Sequence, residues 1–330
     1  MAAARDCLGA ENRPAVDRPQ VDAVYLASTT LPFQDRQCAT LLATALDLPE
    51  GIETLDVTTS QRAGTSALIT ALNRAGSAKG GVLLAATEHR RTKSASALEL
   101  LYGDAAATLL LGAGDGIAKL LATHSVSDDF VDHFRGEGEA FDYQWEERWI
   151  RDEGYMKIVP RALAGLAAKA GIKGDEIAHF ILPCLYAGVP QAIAKRLGIP
   201  ETAVADNLQA GLGNAGAAHA IVMLVHVLQR AKPGEKILVL GFGQGCDALL
   251  FEATPAIANM PARGGIVGAL ANGRAEANYN RFLAFNHLVI QEGGMRSEID
   301  RNTPLSMLYR NRDMLTSFIG GRCTKCGTRQ

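Results

Sequence analysis

Aromatic and basic side chains are concentrated in one short stretch of the chain, where they are suited to binding a nucleotide. Trp149 lies between Arg148 and Arg151, and Trp145 precedes them. Guanidinium groups stack on aromatic rings and bind phosphate through paired hydrogen bonds. The stretch therefore predicts a site for adenine and phosphate groups at Arg148, Trp149 and Arg151. The alternative interpretation is the solvated face of a helix.

A Cys-x-x-Cys pair near the end of the chain, Cys323 and Cys326, has the spacing of metal ligands. A tetrahedral zinc site takes about four nitrogen or sulfur ligands. The chain supplies this pair and then stops at Gln330, so we expect zinc only if further ligands follow. The other cysteines are too scattered for a disulfide framework, which favours a reducing cytoplasm: they are Cys7, Cys38, Cys184 and Cys246.

The segment 241–245, Gly-Phe-Gly-Gln-Gly, resembles a phosphate-binding loop only superficially. A dinucleotide fingerprint needs a strand, a loop and a helix with a fixed glycine spacing. This segment lacks both the context and the spacing, so the sequence does not predict NAD binding.

The overall composition excludes two classes of partner. The 330 residues include 33 basic and 35 acidic side chains, which give a formal net charge of −2. Nucleic acids and anionic lipid surfaces attract proteins with a strong basic excess instead. Apolar runs such as 237–242 are far too short to cross a bilayer, and the N-terminus has no apolar stretch of signal-peptide length. We expect a cytoplasmic protein that binds neither nucleic acid nor membranes.

These candidates must be positioned by a chain whose elements occur twice in the same order: strand, helix, strand, turn, buried helix, strand, strand. In the first half the predicted strands are 21–28, 54–58, 81–87, 105–111 and 118–124, and the predicted helices are 1–9, 36–46 and one ending near Gly76. In the second half the predicted strands are 180–183, 203–206, 237–240 and 248–253, and the predicted helices are 189–197 and 217–231. The alternation predicts an α/β fold with a mostly parallel sheet, and the repetition predicts a duplicated unit.

The two halves are joined by a polar, aromatic segment and a helix. Residues 128–149 predict an inserted surface segment, and residues 152–170 predict a helix. The pairs 105–111 with 118–124, and 237–240 with 248–253, predict two strand pairs.

Four strings identify a family resemblance: Gly-Asp-Ala-Ala-Ala at 103–107, Gly-Asn-Ala-Gly-Ala-Ala at 213–218, Lys-Pro-Gly-Glu at 232–235 before the 237–245 strand and loop, and the helix 192–199. Together they resemble β-ketoacyl-ACP synthase III and hydroxymethylglutaryl-CoA synthase of the thiolase superfamily. The resemblance covers residues 1–255. It implies the thiolase fold, in which two duplicated α/β halves form five layers, here truncated at the N-terminus.

The resemblance also implies where the catalytic residues of the family would lie. Its nucleophilic cysteine, at the start of the first buried helix, falls on Gln61. An amide forms no acyl thioester, so Gln61 either hydrogen-bonds a bound carbonyl, mimics an acylated cysteine, or fills a decayed site. The family's histidine position falls on Cys184, with His179 at the other end of that strand, and its glutamate position falls on Thr29. A thiol in the acyl pocket and an inert buried cysteine are both open interpretations of Cys184.

Asn214 matches the family's asparagine, which supports the acyl carbonyl, although the turn also needs it for local backbone bonding. Three further candidates for acid–base or nucleophilic chemistry lie close in sequence to the positions named above. Ser60 adjoins Gln61, Tyr186 follows Cys184, and His219 follows Asn214. His219 is equally consistent with a hydrogen-bonded core histidine.

The C-terminal Cys323-x-x-Cys326-Gly resembles the start of the zinc ribbon that precedes an OB-fold in acyl-CoA-associated proteins. The predicted domains are therefore an N-terminal thiolase-like half at 1–125, an insertion and C-terminal half at 126–255, and a linker with an incomplete zinc ribbon at 256–330.

The resemblance implies a protein that handles acyl-CoA, with a coenzyme A thioester as substrate. The first hypothesis is an acyltransferase-family enzyme that makes or breaks C–C bonds without a covalent cysteine acyl-enzyme. The second is a non-catalytic acyl-CoA-binding or scaffold subunit that pairs with an active thiolase. A homodimer or a heterodimer with a paralogue is expected in either case. A third interpretation is a gene fragment without function.

Overall fold

The computed structural model describes residues 1–9, 18–291 and 303–329. The strands are β1 (Val21–Ala27), β2 (Glu53–Val57), β3 (Gly81–Glu88), β4 (Ala105–Leu111), β5 (Ala118–Ser127), β6 (His133–Phe134), β7 (Tyr143–Gln144), β8 (Ile177–Ile181), β9 (Lys236–Phe242) and β10 (Gly245–Ala253). The α-helices are α1 (Ala2–Leu8), α2 (Cys38–Ala45), α3 (Ala63–Ala75), α4 (Glu147–Trp149), α5 (Met156–Ala170), α6 (Val189–Arg196), α7 (Gln209–Leu212), α8 (His219–Leu228), α9 (Gly265–Ala271), α10 (Tyr279–Phe285), α11 (Leu305–Arg310) and α12 (Arg312–Leu315). A π-helical segment, Ile150–Tyr155, joins α4 to α5.

The first sheet has the order β2-β1-β3-β4, with β1 parallel to both β2 and β3 and with β4 antiparallel to β3. Strand β3 is buried on both faces, as its continuous apolar run predicts. Because side chains alternate along a strand, Val82 and Leu84 face one apolar layer, and Leu83 and Ala85 face another.

The second sheet also has four strands, in the order β5-β10-β9-β8. Strand β8 is parallel to β9, and β9 is antiparallel to β10. The predicted pairing of 105–111 with 118–124 is wrong, because β4 pairs with β3 and β5 pairs with β10 in the other sheet. The predicted boundary at residue 125 thus falls within β5. The predicted strand at 203–206 is reduced to one bridge between Val204 and Phe180.

Helices α3 and α8 pack between the two sheets and form the central apolar layer. Glycine allows α3 to approach the turn that leads into α8, since a Cβ on Gly64 would lie 2.2 Å from the carbonyl oxygen of Ala217. Helices α1 and α2 cover the outer face of the first sheet, and α5 and α6 cover the outer face of the second. The result is five layers, helix–sheet–helix–sheet–helix, as expected.

The described residues after 255, 256–291 and 303–329, form short helices with little buried surface, and Ile257 and Ile266 are the buried apolar residues among them. In the described part of the chain, every helix is too short or too polar to cross a membrane.

Candidate functional site

A pocket of about 600 Å³, measured with its open mouth, lies where the two halves meet above α3 and α8. Both halves and the segment that connects them contribute to its wall. Gln61 comes from the first half, His133 and Gln144 from the connecting segment, and Tyr186 and Asn214 from the second half. Its polar groups converge in a partly apolar cleft, which is typical of a ligand site.

Gln61 lies two residues before the first residue of α3, so its side chain is beside the positive end of the helix. The backbone turns sharply here, with Thr59 in the left-handed region at a φ of 70°. Ser60 Oγ donates to the carbonyl oxygen of Gly243 at 3.0 Å. The Ser60 hydroxyl is therefore engaged with the glycine-rich loop, and Ser60 is not part of the pocket wall.

An aspartate and a histidine that the sequence analysis did not single out complete a polar chain with Gln61. Gln61 Nε2 lies 2.9 Å from His133 Nε2, and His133 Nδ1 lies 3.0 Å from Asp132 Oδ2. Because the Gln61 amide nitrogen donates, His133 Nε2 is the acceptor. The ring proton is therefore on Nδ1, which donates it in a hydrogen bond to the Asp132 carboxylate. The side chains of His133 and Asp132 are only 16% and 15% exposed. A carboxylate-oriented imidazole in a pocket can act as a general base when a ligand hydroxyl takes the place of the Gln61 amide at Nε2.

The segment 128–149, most of which is exposed, also supplies residues to the pocket wall. Strands β6 and β7 form a hairpin in which His133 pairs with Gln144 and Phe134 pairs with Tyr143. The first pair faces the pocket, while Phe134 and Tyr143 are 53% and 55% exposed. The segment therefore delivers functional groups with the two-residue period of a strand.

Tyr186 lies beside this hairpin and presents a protonated phenol. Gln144 Nε2 donates to Tyr186 Oη at 3.1 Å. Burial raises the pKa of Tyr186 to about 12. Since Gln144 uses an acceptor site of the oxygen, the phenol proton remains available as a donor.

Asn214 is in the pocket wall and also organises its own turn. Its Oδ1 accepts from the amide of Gly216 at 2.9 Å, and its backbone amide donates to the carbonyl of Leu101 at 2.7 Å. With Oδ1 used locally, the amide nitrogen is the group that Asn214 can offer to a ligand.

His219 is a hydrogen-bonded core residue. The amide of Ala215 donates to His219 Nδ1 at 2.9 Å, and His219 Nε2 donates to the carbonyl of Asn207 at 2.7 Å. Both ring nitrogens are used, and burial lowers the pKa of the imidazole. His219 therefore holds the Asn214 turn in place rather than facing the pocket.

Cys184 is near the pocket in sequence, but its side chain is not part of the wall. The residue is 3% exposed and belongs to the apolar layer that contains α5 and α6. Its Sγ accepts from the amide of Tyr186 at 3.4 Å. Burial raises the pKa of the Cys184 thiol to about 12, so the thiol is neutral near neutral pH. Of the two interpretations of Cys184, the geometry favours the inert one.

Thr29 is hydrogen-bonded to a carboxylate from the neighbouring strand. Glu88, which is 2% exposed, accepts from the backbone amide and the hydroxyl of Thr29, each at 3.1 Å. The amide of Ala217 also donates to it at 3.2 Å. The carboxylate is thus saturated with hydrogen bonds, which indicates a structural role beneath the pocket.

The Arg–Trp cluster lies outside the pocket, next to Ile150, which is part of its wall. Trp149 is 47% exposed and stacks on Phe130 with ring centroids 6.1 Å apart. Arg148 extends into solvent, and Arg151 pairs with Asp152 at 2.8 Å. The cluster is accessible to the end of a ligand that extends out of the pocket. Its role in binding a nucleotide is still a prediction.

Cys323 and Cys326 lie together in an exposed turn. Hydrogen bonds from Thr328 lower the pKa of the Cys326 thiol to about 7. No cluster of three or more metal-ligating side chains occurs within residues 1–9, 18–291 and 303–329. The zinc ribbon is therefore still a prediction.

Comparison with a family model matches residues 167–251 to the C-terminal part of 3-oxoacyl-[acyl-carrier-protein] synthase III. The chain is also 25% identical over 292 residues to a hydroxymethylglutaryl-CoA synthase of Caldivirga maquilingensis, covering 87% of this chain and 82% of that protein. A relationship to ketoacyl synthase III and hydroxymethylglutaryl-CoA synthase, as the sequence motifs indicated, is thereby supported.

Solved structures confirm the thiolase fold. MvaS in complex with 3-hydroxy-3-methylglutaryl coenzyme A matches with a TM-score of 0.72 at 17% identity, covering 89% of this chain and 81% of that one. The 3-oxoacyl-[acyl-carrier-protein] synthase III of Aquifex aeolicus matches with a TM-score of 0.61 at 21% identity, covering 70% and 77%.

Proposed function

We propose that this chain binds a short acyl-CoA thioester and makes or breaks a C–C bond in it, as a thiolase-fold acyltransferase relative that forms no covalent cysteine acyl-enzyme. The observation that carries the proposal is the Asp132–His133 pair, whose Nε2 meets Gln61 at the position expected for the nucleophile. The site thus combines a base with amide donors where the thiolate would lie.

The base accounts for an aldol cleavage of a 3-hydroxyacyl-CoA and for its reverse. The 3-hydroxyl group of the substrate replaces the Gln61 amide at His133 Nε2. His133 Nε2 takes the hydroxyl proton, the C2–C3 bond breaks, and its electron pair moves onto C2 and the thioester oxygen. The oxygen left on C3 forms the carbonyl of the first product. The protonated His133 then returns its proton to C2, which releases the shorter acyl-CoA. Asp132 stabilises the imidazolium throughout.

Donors around the pocket are suited to the negative charge that develops on the thioester oxygen. The side-chain amide nitrogen of Asn214 and the Tyr186 phenol are available, and so is the N–H of Gln61 that is not directed at His133. Fixed donors directed at such an oxyanion are worth about 100- to 1000-fold in rate each. No step in this sequence requires a thiol, which agrees with the burial of Cys184.

The nucleotide end of the thioester would leave the pocket along Ile150 and meet Arg148, Trp149 and Arg151. Two solved structures that the chain resembles contain CoA or 3-hydroxy-3-methylglutaryl-CoA, which supports a CoA thioester as the substrate class.

A homodimer, or a heterodimer with a thiolase paralogue, forms part of the proposal. So does zinc binding by Cys323 and Cys326, if the missing ligands are supplied from elsewhere.

The experiment incubates the protein with 3-hydroxy-3-methylglutaryl-CoA and, separately, with acetyl-CoA, and follows products by chromatography and the protein by intact mass. We expect cleavage of the hydroxyacyl thioester and no covalent acyl adduct. His133→Ala should lower the rate by about 100-fold or more, the usual worth of a general base.

The matched control is His179→Ala. His179 Nε2 lies 2.9 Å from Glu235 Oε2, so this pair has the same chemistry and similar exposure but is not part of the pocket wall. Equal losses in the two variants, or an acyl adduct on any cysteine, would overturn the mechanism.

The second candidate is a non-catalytic acyl-CoA-binding subunit, and it is favoured by the replacement of the family's cysteine, histidine and glutamate at Gln61, Cys184 and Thr29. It predicts that acyl-CoA binds in calorimetry with no turnover, and that His133→Ala changes neither.

A further inference from the structure

The hairpin that carries His133 is too small to hold its own shape. Strands β6 and β7 contain two residue pairs, and one further backbone bond joins the two arms, from the amide of Trp145 to the carbonyl of Asp132 at 2.9 Å. An isolated two-stranded ribbon is marginal in water even when it is longer. Other contacts must therefore fix the hairpin on the body of the protein.

The strongest of these contacts centre on Asp142, which lies next to β7. Its Oδ2 accepts from Arg90 Nε at 2.9 Å and its Oδ1 accepts from Arg135 Nη1 at 2.8 Å. The side chains of Asp142 and Arg90 are each 4% exposed. Buried carboxylate–guanidinium contacts of this kind are strong and directional, and loss of one partner leaves an unpaired buried charge.

Both arginines connect the hairpin to the ends of strands in the first sheet. Arg90 follows β3, and its guanidinium lies over the ring of Tyr102, 4.0 Å from the ring centre. Arg135, on the hairpin itself, also donates to the carbonyl of Thr29 after β1. The Asp142 carboxylate thus joins one arginine from the body to one from the hairpin.

We propose that Asp142, through Arg90 and Arg135, is the positioning residue that holds the β6–β7 hairpin closed and keeps His133 directed at Gln61. This inference rests on the proposed function for its consequence in catalysis, but the position of the hairpin can be measured without turnover. Asp142 acts through His133 and does not itself contact the reacting atoms.

The test measures how fast diethyl pyrocarbonate modifies His133, located by peptide mass spectrometry, in the full chain and in three variants. Asp142→Asn keeps the shape of the side chain and removes the charge. Asp142→Glu keeps the charge. Asp128→Asn is the matched control, because Asp128 pairs with Arg161 at 2.6 Å in the same segment but at the surface.

We expect Asp142→Asn to raise the modification rate at His133 by about tenfold, as local opening of the hairpin would. Asp142→Glu should restore most of the protection, and Asp128→Asn should leave the rate unchanged. If Asp142→Asn fails to fold, Arg135→Gln removes only the more exposed of the two arginine contacts, since the Arg135 side chain is 25% exposed, and should give a smaller increase. An unchanged His133 rate in both folded variants would refute the inference.

Turnover provides a second and separate measurement. For the hydroxyacyl thioester, Asp142→Asn should lower kcat more than it raises KM, because the base is displaced while the nucleotide contacts stay. If the wild-type protein shows no turnover, the proposed function fails, but the modification rates still decide whether Asp142 positions the hairpin.

Discussion

Replacement of Cys184 by alanine separates a catalytic thiol from a structural one. Cys184 lies in the apolar layer outside the second sheet and is 3% exposed. We expect Cys184→Ala to leave cleavage of the hydroxyacyl thioester within about twofold of wild type, a change of well under 1 kcal/mol in activation free energy. The free energy of unfolding should fall by about 1 kcal/mol, as for removal of a single buried heavy atom.

The thiol pKa values also predict how differently Cys184 and Cys326 react with an alkylating reagent. Burial raises the pKa of Cys184 to about 12, so near pH 7 about one thiol in 10⁵ is ionised. Hydrogen bonds lower the pKa of the exposed Cys326 to about 7, so a much larger share of that thiol is ionised near neutral pH. Alkylation requires the thiolate, and the two cysteines should therefore differ in rate by several orders of magnitude.

The assay treats the native protein with iodoacetamide and reads each cysteine by peptide mass spectrometry, with Cys326→Ser as the control for the reactive site. Cys326 should be labelled within minutes, and Cys184 only after denaturation. Rapid labelling of Cys184 in the native protein, or loss of turnover in Cys184→Ala without a loss of stability, would refute the assignment.

Three further predictions concern α3, the core histidine and the missing thiol. Gly64→Ala should lower the free energy of unfolding, measured in urea, by about 3 kcal/mol, because the new Cβ would lie 2.2 Å from the carbonyl oxygen of Ala217. Gly51→Ala is the control, and it should change the free energy of unfolding little because Gly51 has open space around it. Burial lowers the pKa of His219 in the folded state, so the unfolded chain binds the extra proton. Stability should therefore be unaffected by this group above about pH 6.5 and should fall below it by up to about 1.4 kcal/mol per pH unit, a slope that His219→Gln should remove. Gln61→Cys should place a thiol at the start of α3. After incubation with acetyl-CoA, intact mass should then detect an acetyl adduct on the protein. Absence of the adduct in the folded variant would argue against His133 as a base at this position.

The duplicated fold was predictable because its signals are local and repeated. The apolar runs of β3 and β9 and the glycine-closed helices recur in the same order in both halves, and each run is long enough to specify its type. The pairing of β5 was not predictable, because strands adjacent in sequence usually pair with each other. Here β4 and β5 belong to different sheets.

The candidate site was predictable only where a motif marks it. Gln61 and Asn214 were found by their neighbours in sequence, and both are in the pocket wall. Asp132 and His133 lie in a segment whose polarity is typical of a surface loop, and an Asp-His dipeptide alone carries little information. Their role depends on a two-pair hairpin and on the Asp142 contacts, which arise from tertiary structure rather than from sequence pattern.

The pocket wall is assembled from positions as distant in the chain as Gln61 and Phe242. Closing such long loops is entropically unfavourable, and their contacts form late when a chain folds. Both halves and the connecting hairpin must be in place before any ligand meets a complete wall. Acyl-CoA binding should therefore appear only in the final phase of refolding, after most of the secondary structure has formed. A tightly bound thioester would in turn shift the folding equilibrium of the whole chain rather than that of one half.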